Sequence, residues 1–558
     1  MPVLKKTKGS KSWQKIADEA QALRDQSLVD VGITISLPPR LPTNVINIPE
    51  KVLSEKNIRI TSLSPQALID LISSGKLSAR EVVQAFLERA VAAQKLTNCL
   101  TELLPQRAIS RAAELDNHLS RCSIPIGPLH GLPISIKSHI GIAGRPLTYG
   151  YCAPFHSRTR PVSDSLVVQI LTRAGAVVHA RTTEPQSMMQ LECASNIYGI
   201  TTNPYSHVAL SSGGSSGGEG ALLALRGSVL GVGSDVGGSI RVPAAACGIY
   251  GLKPTAFRVP TTGWSSTPPG ADPIVTVLGP MGVNLEVLEI FMRVVVAAES
   301  WNIEPAIIPL PWKTVHIDPT REKPLRLGII WHDGIVQPHP PVQRVLREFA
   351  EKVSGLPQVE VVNFPAYKHD EAWAIVSSLY FTDGGDADIA IMAESGEPWL
   401  PLTEWIMKEN PGVKKLSRGE LEYWLEEREE FRLEYSHHWN KTGRWNDVSR
   451  LWEHTVDAII CPVAPGVATQ HNTAKYWTYT AVWNLLDYPA LTFPAGRVEK
   501  EIDIKDNRKR FLSGLDEENW QLYNHETFHG MSVGLQIVGR RFEDEKIIAI
   551  LKFLEKYI

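Results

Sequence analysis

The chain has 558 residues, 43% of them hydrophobic, which is enough to bury a large core and excludes disorder as its main state. With 57 Lys+Arg against 60 Asp+Glu its net charge is −3, so it lacks the basic excess that drives counterion-release binding to nucleic acid. Cys99, Cys122, Cys152, Cys193, Cys247 and Cys461 are scattered without a C-x-x-C pair, which speaks against a zinc cage or disulfide framework and for a reducing, cytoplasmic setting.

Residues 1–60 begin with Lys5, Lys6, Lys8, Lys11 and Lys15, followed by Asp18 and Glu19 where a secretory leader needs an apolar run. With the Pro-rich stretch Leu37-Pro38-Pro39-Arg40-Leu41-Pro42, this segment reads as an N-terminal extended arm lying over a core. Residues 61–558 read as one large domain. Ser64-Pro65 and the capping box Ser78-Ala79-Arg80-Glu81 start two helices that form a hairpin. From about residue 130 short β-rich runs, Leu132 to Ile136 and Ala176 to Val178, alternate with helical stretches such as Asp164 to Ala174. Strand-like runs return at Ala458 to Ile460 and Val533 to Val538, and Glu543 to Leu554 reads as a closing helix. The expected fold is therefore α/β, with a mixed twisted sheet drawing strands from both chain ends and helices around it. A further capping box at Ser417 opens a charged helix with a solvated face. Arg173 and Arg293 break the richest apolar stretches before any reaches the ~18 residues of a membrane span.

Two Gly/Ser-rich segments stand apart, Ser211 to Glu219 and Gly231 to Arg241. Glycine loses more conformational freedom on folding than other residues, so such density marks special dihedrals or backbone amides aimed at a ligand. Ser216 and Glu219 fit a capping box ahead of Ala221 to Leu225, which leaves Ser215 just outside that helix with its hydroxyl free for chemistry. Gly237-Gly238-Ser239 offers unobstructed amides beside a hydroxyl, as an acyl-transfer nucleophile and oxyanion hole require. Lys137, following the apolar run 132–136, is the candidate base. Half-neutrality at pH 7 asks its pKa to fall by about 3.4 units, roughly 4.6 kcal/mol, within reach of a buried lysine.

The combination resembles the amidase signature family, and within it the fungal acetamidase-like amidases. The resemblance is carried by Gly127 to Lys137, Gly213 to Gly220, Gly231 to Pro243, Gly251-Leu252-Lys253-Pro254, Tyr479 to Pro494 and Gly534 to Lys546. It implies a Ser-Ser-Lys triad, with Lys137 as ultimate base, Ser215 as bridging serine, often on a cis peptide, and Ser239 as acyl-forming nucleophile. It also implies an oxyanion hole from the amides of Val236, Gly237, Gly238 and Ser239, braced by Asp235 and Arg241, with Met188 at the acyl pocket. Tyr149, Tyr151, Met189 and Trp264 are further pocket candidates. Ser138 stands where the family commonly has Asp or Glu, and Ser234 where Thr is common. The implied reaction is hydrolysis of a small-molecule carboxamide to carboxylate and ammonia or amine, with no metal or cofactor, in a protein expected to form a homodimer.

Rival motifs define the alternatives. Gly213-Gly214-Ser215-Ser216-Gly217 satisfies G-x-S-x-G, which would make Ser215 the nucleophile of an α/β-hydrolase-type esterase, but only a short run precedes it as a strand. His525-Glu526-Thr527-Phe528-His529 spells the zinc motif H-E-x-x-H, but Gly530 and the following strand leave too little helix for two ligands on one face. Gly231-Val232-Gly233 lacks the third glycine of a dinucleotide fingerprint, Asp383 to Asp388 has the wrong spacing for an EF-hand, and His437-His438 reads as a surface pair. A catalytically silent binding protein on an amidase scaffold is the remaining alternative.

Overall fold

The computed structural model describes residues 12–157, 160–265 and 273–557. The expected strands assemble into one sheet of 11, labelled here β1 (Leu100–Leu103), β2 (Pro133–Lys137), β3 (Val177–Thr182), β4 (Leu230–Asp235), β5 (Tyr250–Lys253), β6 (Val277–Gly282), β7 (Leu325–Ile329), β8 (Val359–Asn363), β9 (Ala458–Pro462), β10 (Ala490–Arg497) and β11 (Ser532–Val538). Their spatial order is β1-β3-β2-β4-β6-β5-β10-β11-β9-β7-β8. Pairing is parallel within β3-β2-β4 and β9-β7-β8 and antiparallel between β1 and β3 and through the centre from β4 to β9, so the sheet is mixed. The result is a single large α/β domain whose central strands come from both ends of the sequence. Its inner strands are buried along their length, for example every residue of β2, β3, β4 and β6, because helices cover both faces.

The helical hairpin forms as expected over Pro65–Ser73 and Ala79–Thr97, with the Ser78–Glu81 capping box present at the second start. The helix near 164–174 spans Leu166–Arg173, and the closing helix Asp544–Leu554. Among the described residues no helix is long and apolar enough to cross a membrane.

Two expectations are corrected. Where an extended arm was expected over 1–60, helix α1 (Trp13–Val29) forms, short helices follow at Pro49–Val52 and Glu55–Thr61, and the Pro-rich stretch between them carries no regular structure. Its driver is Trp13, Ile16 and Ala20, spaced i, i+3, i+7, which pack with Cys152, Phe155, Ile197 and Tyr198. The lysines 5–11 lie outside the described residues. The second correction concerns helix α2 (Gly217–Ala224): Ser216 is its N-cap by position, but its side chain makes no capping bond. Glu219 turns into the sheet instead, accepting from Ser135 Oγ at 2.6 Å and Thr182 Oγ1 at 2.9 Å.

Candidate active site

The parallel neighbours β2 and β4 end on Lys137 and Asp235, which brings the two chemically distinctive segments to the same edge of the sheet. This is where ligands approach an open α/β sheet, beyond the carboxyl ends of its strands. After β4 the chain runs through Val236–Ile240 into helix α3 (Arg241–Cys247), while residues 212–216 lead into α2. Ser216 N–H donates to Ser239 O at 3.0 Å and Ser216 Oγ accepts from Ser234 N at 3.3 Å, tying the two serine segments together.

Lys137 is fully buried, and its Nζ donates to Ser215 Oγ at 2.5 Å and to Ser234 Oγ at 3.0 Å. Burial pulls its pKa from 10.5 down to about 8, with Glu184 the strongest of the neighbouring charges that oppose the fall. The lysine is thus about one-tenth neutral at pH 7, short of the half-neutrality asked of it above. Ser234 retains the hydroxyl of the residue it replaces and uses it on the amine. Ser215 sits on a cis peptide after Gly214, where a Cβ would lie 2.2 Å from Glu192 O.

The Val236–Ile240 loop is braced on every side. Asp235 accepts from the backbone N–H of Gly238 at 2.9 Å and Ile240 at 3.1 Å, and pairs with Arg241 at 2.9 Å, both side chains fully buried. Burial alone would raise the Asp235 pKa, but Arg241 and Asn484 outweigh it and hold the carboxyl well below the usual range. Arg241 also donates to Thr480 O at 3.0 Å, Asn484 Oδ1 at 2.6 Å and Gln536 Oε1 at 3.3 Å. From above, Thr480 Oγ1 donates to Gly237 O at 2.6 Å and Tyr380 Oη to Val236 O at 2.9 Å. Gly238, at φ +132°, occupies space where a Cβ would strike Thr480 Oγ1 at 2.5 Å. The Gly238 amide, one of the four expected to form an oxyanion hole, donates to Asp235.

Beyond Gly213 and Thr480 lies a mainly apolar cavity of about 120 Å³, also walled by Leu191, Val242, Val463 and Val467, whose lining includes none of Lys137, Ser215 and Val236–Ser239. A wider opening of about 730 Å³ is lined by Tyr149 and Trp264. Tyr151 is instead core, its hydroxyl bonded to Asp388. Met188, at φ +59°, and Met189 are half-buried and line neither cavity. Thr480, Tyr380, Asn484 and Glu184 were missed as site residues in the sequence, being remote in the chain or unremarkable in type.

The rival motifs do not assemble. The strand before Ser215, Ser206–Ser211, belongs to a separate two-stranded ribbon rather than the main sheet. The H-E-x-x-H residues form one turn, His525–Phe528, and Glu526 pairs with Lys500. Among the described residues no group of three His, Cys, Asp or Glu could hold a metal. Asp383 caps its own turn by accepting from Gly385 and Ala387, and His438 stacks half-buried on Tyr367 at 4.7 Å.

A family model described as Amidase matches residues 81–548. The chain is 34% identical to an acetamidase of Emericella nidulans, over 98% of each chain, and 34% identical to an acetamidase of Aspergillus oryzae, over 98% of this chain and 99% of that one. In three dimensions it is similar to a fatty acid amide hydrolase at TM-score 0.90 and 31% identity, covering 98% of this chain and 95% of that one. The chain therefore belongs to the amidase signature family, enzymes that hydrolyse amide bonds.

Proposed function

We propose that Lys137, Ser215 and Ser239 act as a Ser-Ser-Lys triad on a carboxamide, through an acyl-enzyme on Ser239. The observation that carries this reading is the buried Lys137 amine 2.5 Å from Ser215 Oγ, beside a loop that presents amides and a hydroxyl at Ser239. Neutral Lys137 draws the proton of Ser239 through Ser215, and Ser239 Oγ attacks the carbonyl. The negative oxygen of the tetrahedral intermediate is held by the amides of Val236, Gly237 and Ser239, preorganised by the bonds to Asp235, Thr480 and Tyr380. Collapse returns the proton through the same relay to the departing nitrogen, which leaves as ammonia or amine. Water then adds to the ester, loses its proton to the relay, and releases carboxylate and free Ser239.

For the substrate, the likeness to acetamidases supports a carboxamide with a small aliphatic or aryl-acetic acyl group. The neutral amine is the active form, so kcat/KM rises as pH rises through about 8, where Lys137 loses its proton.

The test is labelling with a fluorophosphonate and mapping the modified peptide. Label on Ser239, abolished by Ser239→Ala and slowed at least ~100-fold by Lys137→Ala or Ser215→Ala, is the expected result. Label on Ser215 that persists in Ser239→Ala would replace the triad with the esterase reading. Absence of label in a folded wild type would point to a silent scaffold.

A further inference from the structure

Glu184 has no part in the relay just described, yet it is a fully buried carboxylate whose charge acts on the lysine. It lies two residues beyond the end of β3, whose Thr182 is in register with Lys137 on β2. The parallel pairing therefore carries both chains past the sheet edge together, so that Glu184 meets the residues directly after the lysine. Its Oε1 accepts from Ser138 Oγ at 2.7 Å, and its Oε2 from His139 N at 3.2 Å and His139 Nδ1 at 3.0 Å. Ser138 N in turn donates to Thr182 O at 3.2 Å, and Arg181 donates to Ser138 O. The turn leaving Lys137 is thus clamped by one carboxylate.

The charges around the pair single Glu184 out. Asp235, from β4, is committed to Arg241. Glu219, from α2, is pushed by burial up to about 8, so at neutral pH its carboxyl is protonated and uncharged. Arg181 is paired with Glu102, and burial lowers His139 so that its ring is neutral at pH 7. Cys193 is a buried thiol whose pKa burial raises, and Tyr149 and Tyr198 are likewise raised by burial and stay neutral. Burial also pushes Glu184 upward, but the bonds from His139, the charge of Lys137 and the bond from Ser138 outweigh it and keep the group ionised. This leaves Glu184 as the ionised carboxylate whose charge bears most on an amine that must release a proton.

We infer that Glu184 is a positioning residue of the hydrolytic site: through the Ser138–His139 turn and its negative charge it fixes the Lys137 amine on Ser215 and sets the pH at which that amine becomes a base. The inference rests on Lys137 being the base and adds what controls it. A negative charge favours the ammonium form, so Glu184 raises the pH needed for activity while making the neutral amine a stronger proton acceptor once formed.

The test follows the rate of fluorophosphonate labelling of the full chain from pH 6 to 10. In Glu184→Gln the midpoint of the pH profile is expected to fall by about one unit or more and the plateau rate at least ~3-fold. Glu184→Asp is expected to keep the wild-type midpoint within about 0.5 unit. Since Ser138 Oγ and Glu184 Oε1 are 2.7 Å apart, the exchange Glu184→Ser with Ser138→Asp returns a carboxylate to the same place and is expected to restore the midpoint. It also decides the matter if Glu184→Gln alone does not fold. A Glu184→Gln profile with a lower plateau but an unmoved midpoint would overturn the inference, leaving Glu184 a structural clamp, as would an exchange variant that folds and does not recover. If Lys137→Ala labels at the wild-type rate and with the wild-type profile, it is the base assignment that fails, whatever the Glu184 variants do.

Discussion

Around Asp235 and Arg241 the interior is held by directed bonds, six of them to the two side chains from partners at Gly238, Ile240, Thr480, Asn484 and Gln536. Around Tyr435, in a second core, it is held by rings: Tyr435 packs against Phe364, Tyr367, Phe431, Trp483 and Tyr488, with centroids 5.9–6.3 Å apart. The hydroxyl of Tyr435 has no hydrogen-bond partner there. Both regions are buried, but they specify different things. Hydrogen bonds and ion pairs fix the position of individual atoms, which the reacting loop needs, and fail abruptly when one member is removed. Ring packing fills volume with weaker directional demand and tolerates exchange of similar shapes. The two regions share one helix, Thr478–Leu485, which sends Thr480 and Asn484 to the loop and Trp483 to the rings.

The sharpest way to break this comparison is Arg241→Leu. Leaving Asp235 as an unpaired buried charge is expected to cost about 3–5 kcal/mol, read as a fall in the urea midpoint together with loss of labelling at Ser239. Removing the charge as well, in Asp235→Asn with Arg241→Leu, should recover part of the stability; a single variant costing under about 1 kcal/mol would mean the pair is not decisive. Next is Trp439→Phe in the ring region, which loses the Nε1–H bond to Val456 O at 3.0 Å and some packed volume. About 2 kcal/mol of stability is expected to go while kcat of the folded enzyme holds, checked by pairing a urea melt with active-site titration. Thr480→Val removes the 2.6 Å bond to Gly237 O while keeping shape. Labelling should slow about tenfold, ~1.4 kcal/mol in the barrier, with little change in Tm. The smallest effect is expected from Tyr435→Phe: removing a buried hydroxyl without a partner should leave Tm unchanged or raise it, by at most ~1 kcal/mol in stability. A marked loss in that last variant would contradict the volume-filling account of the rings.

The parts of the molecule that were legible in the sequence are those whose signal is local. The Ser78 and Ser417 capping boxes, the helix at Leu166–Arg173 and the strands ending at Lys137 and Val538 follow from spacing within a few residues. Ser216-Gly217-Gly218-Glu219 has the same spacing and misled, because Ser135 and Thr182 on neighbouring strands compete for the glutamate and win. Helix α1 was obscured by the lysines before it and the prolines after it, although its apolar spacing was there to be read. In the site, the residues that stand in unusual company, Lys137, Ser215 and the 235–241 loop, were visible. Glu184, Tyr380, Thr480 and Asn484 were not, since each is an ordinary residue made important by what the sheet register and distant helices bring beside it.

The reach of Arg241 to Thr480, Asn484 and Gln536 has a consequence for the order of synthesis. A ribosome that has made the glycine-rich loop has still to make roughly the last half of the chain before the anchors of that loop exist. Until β11 leaves the exit tunnel and pairs with β10, Arg241 is without its Gln536 partner. Contacts of such long sequence separation form late and slowly. The brace around Arg241 is therefore completed only near the end of synthesis, and a polypeptide cut short before Gln536 carries Lys137, Ser215 and Ser239 without it.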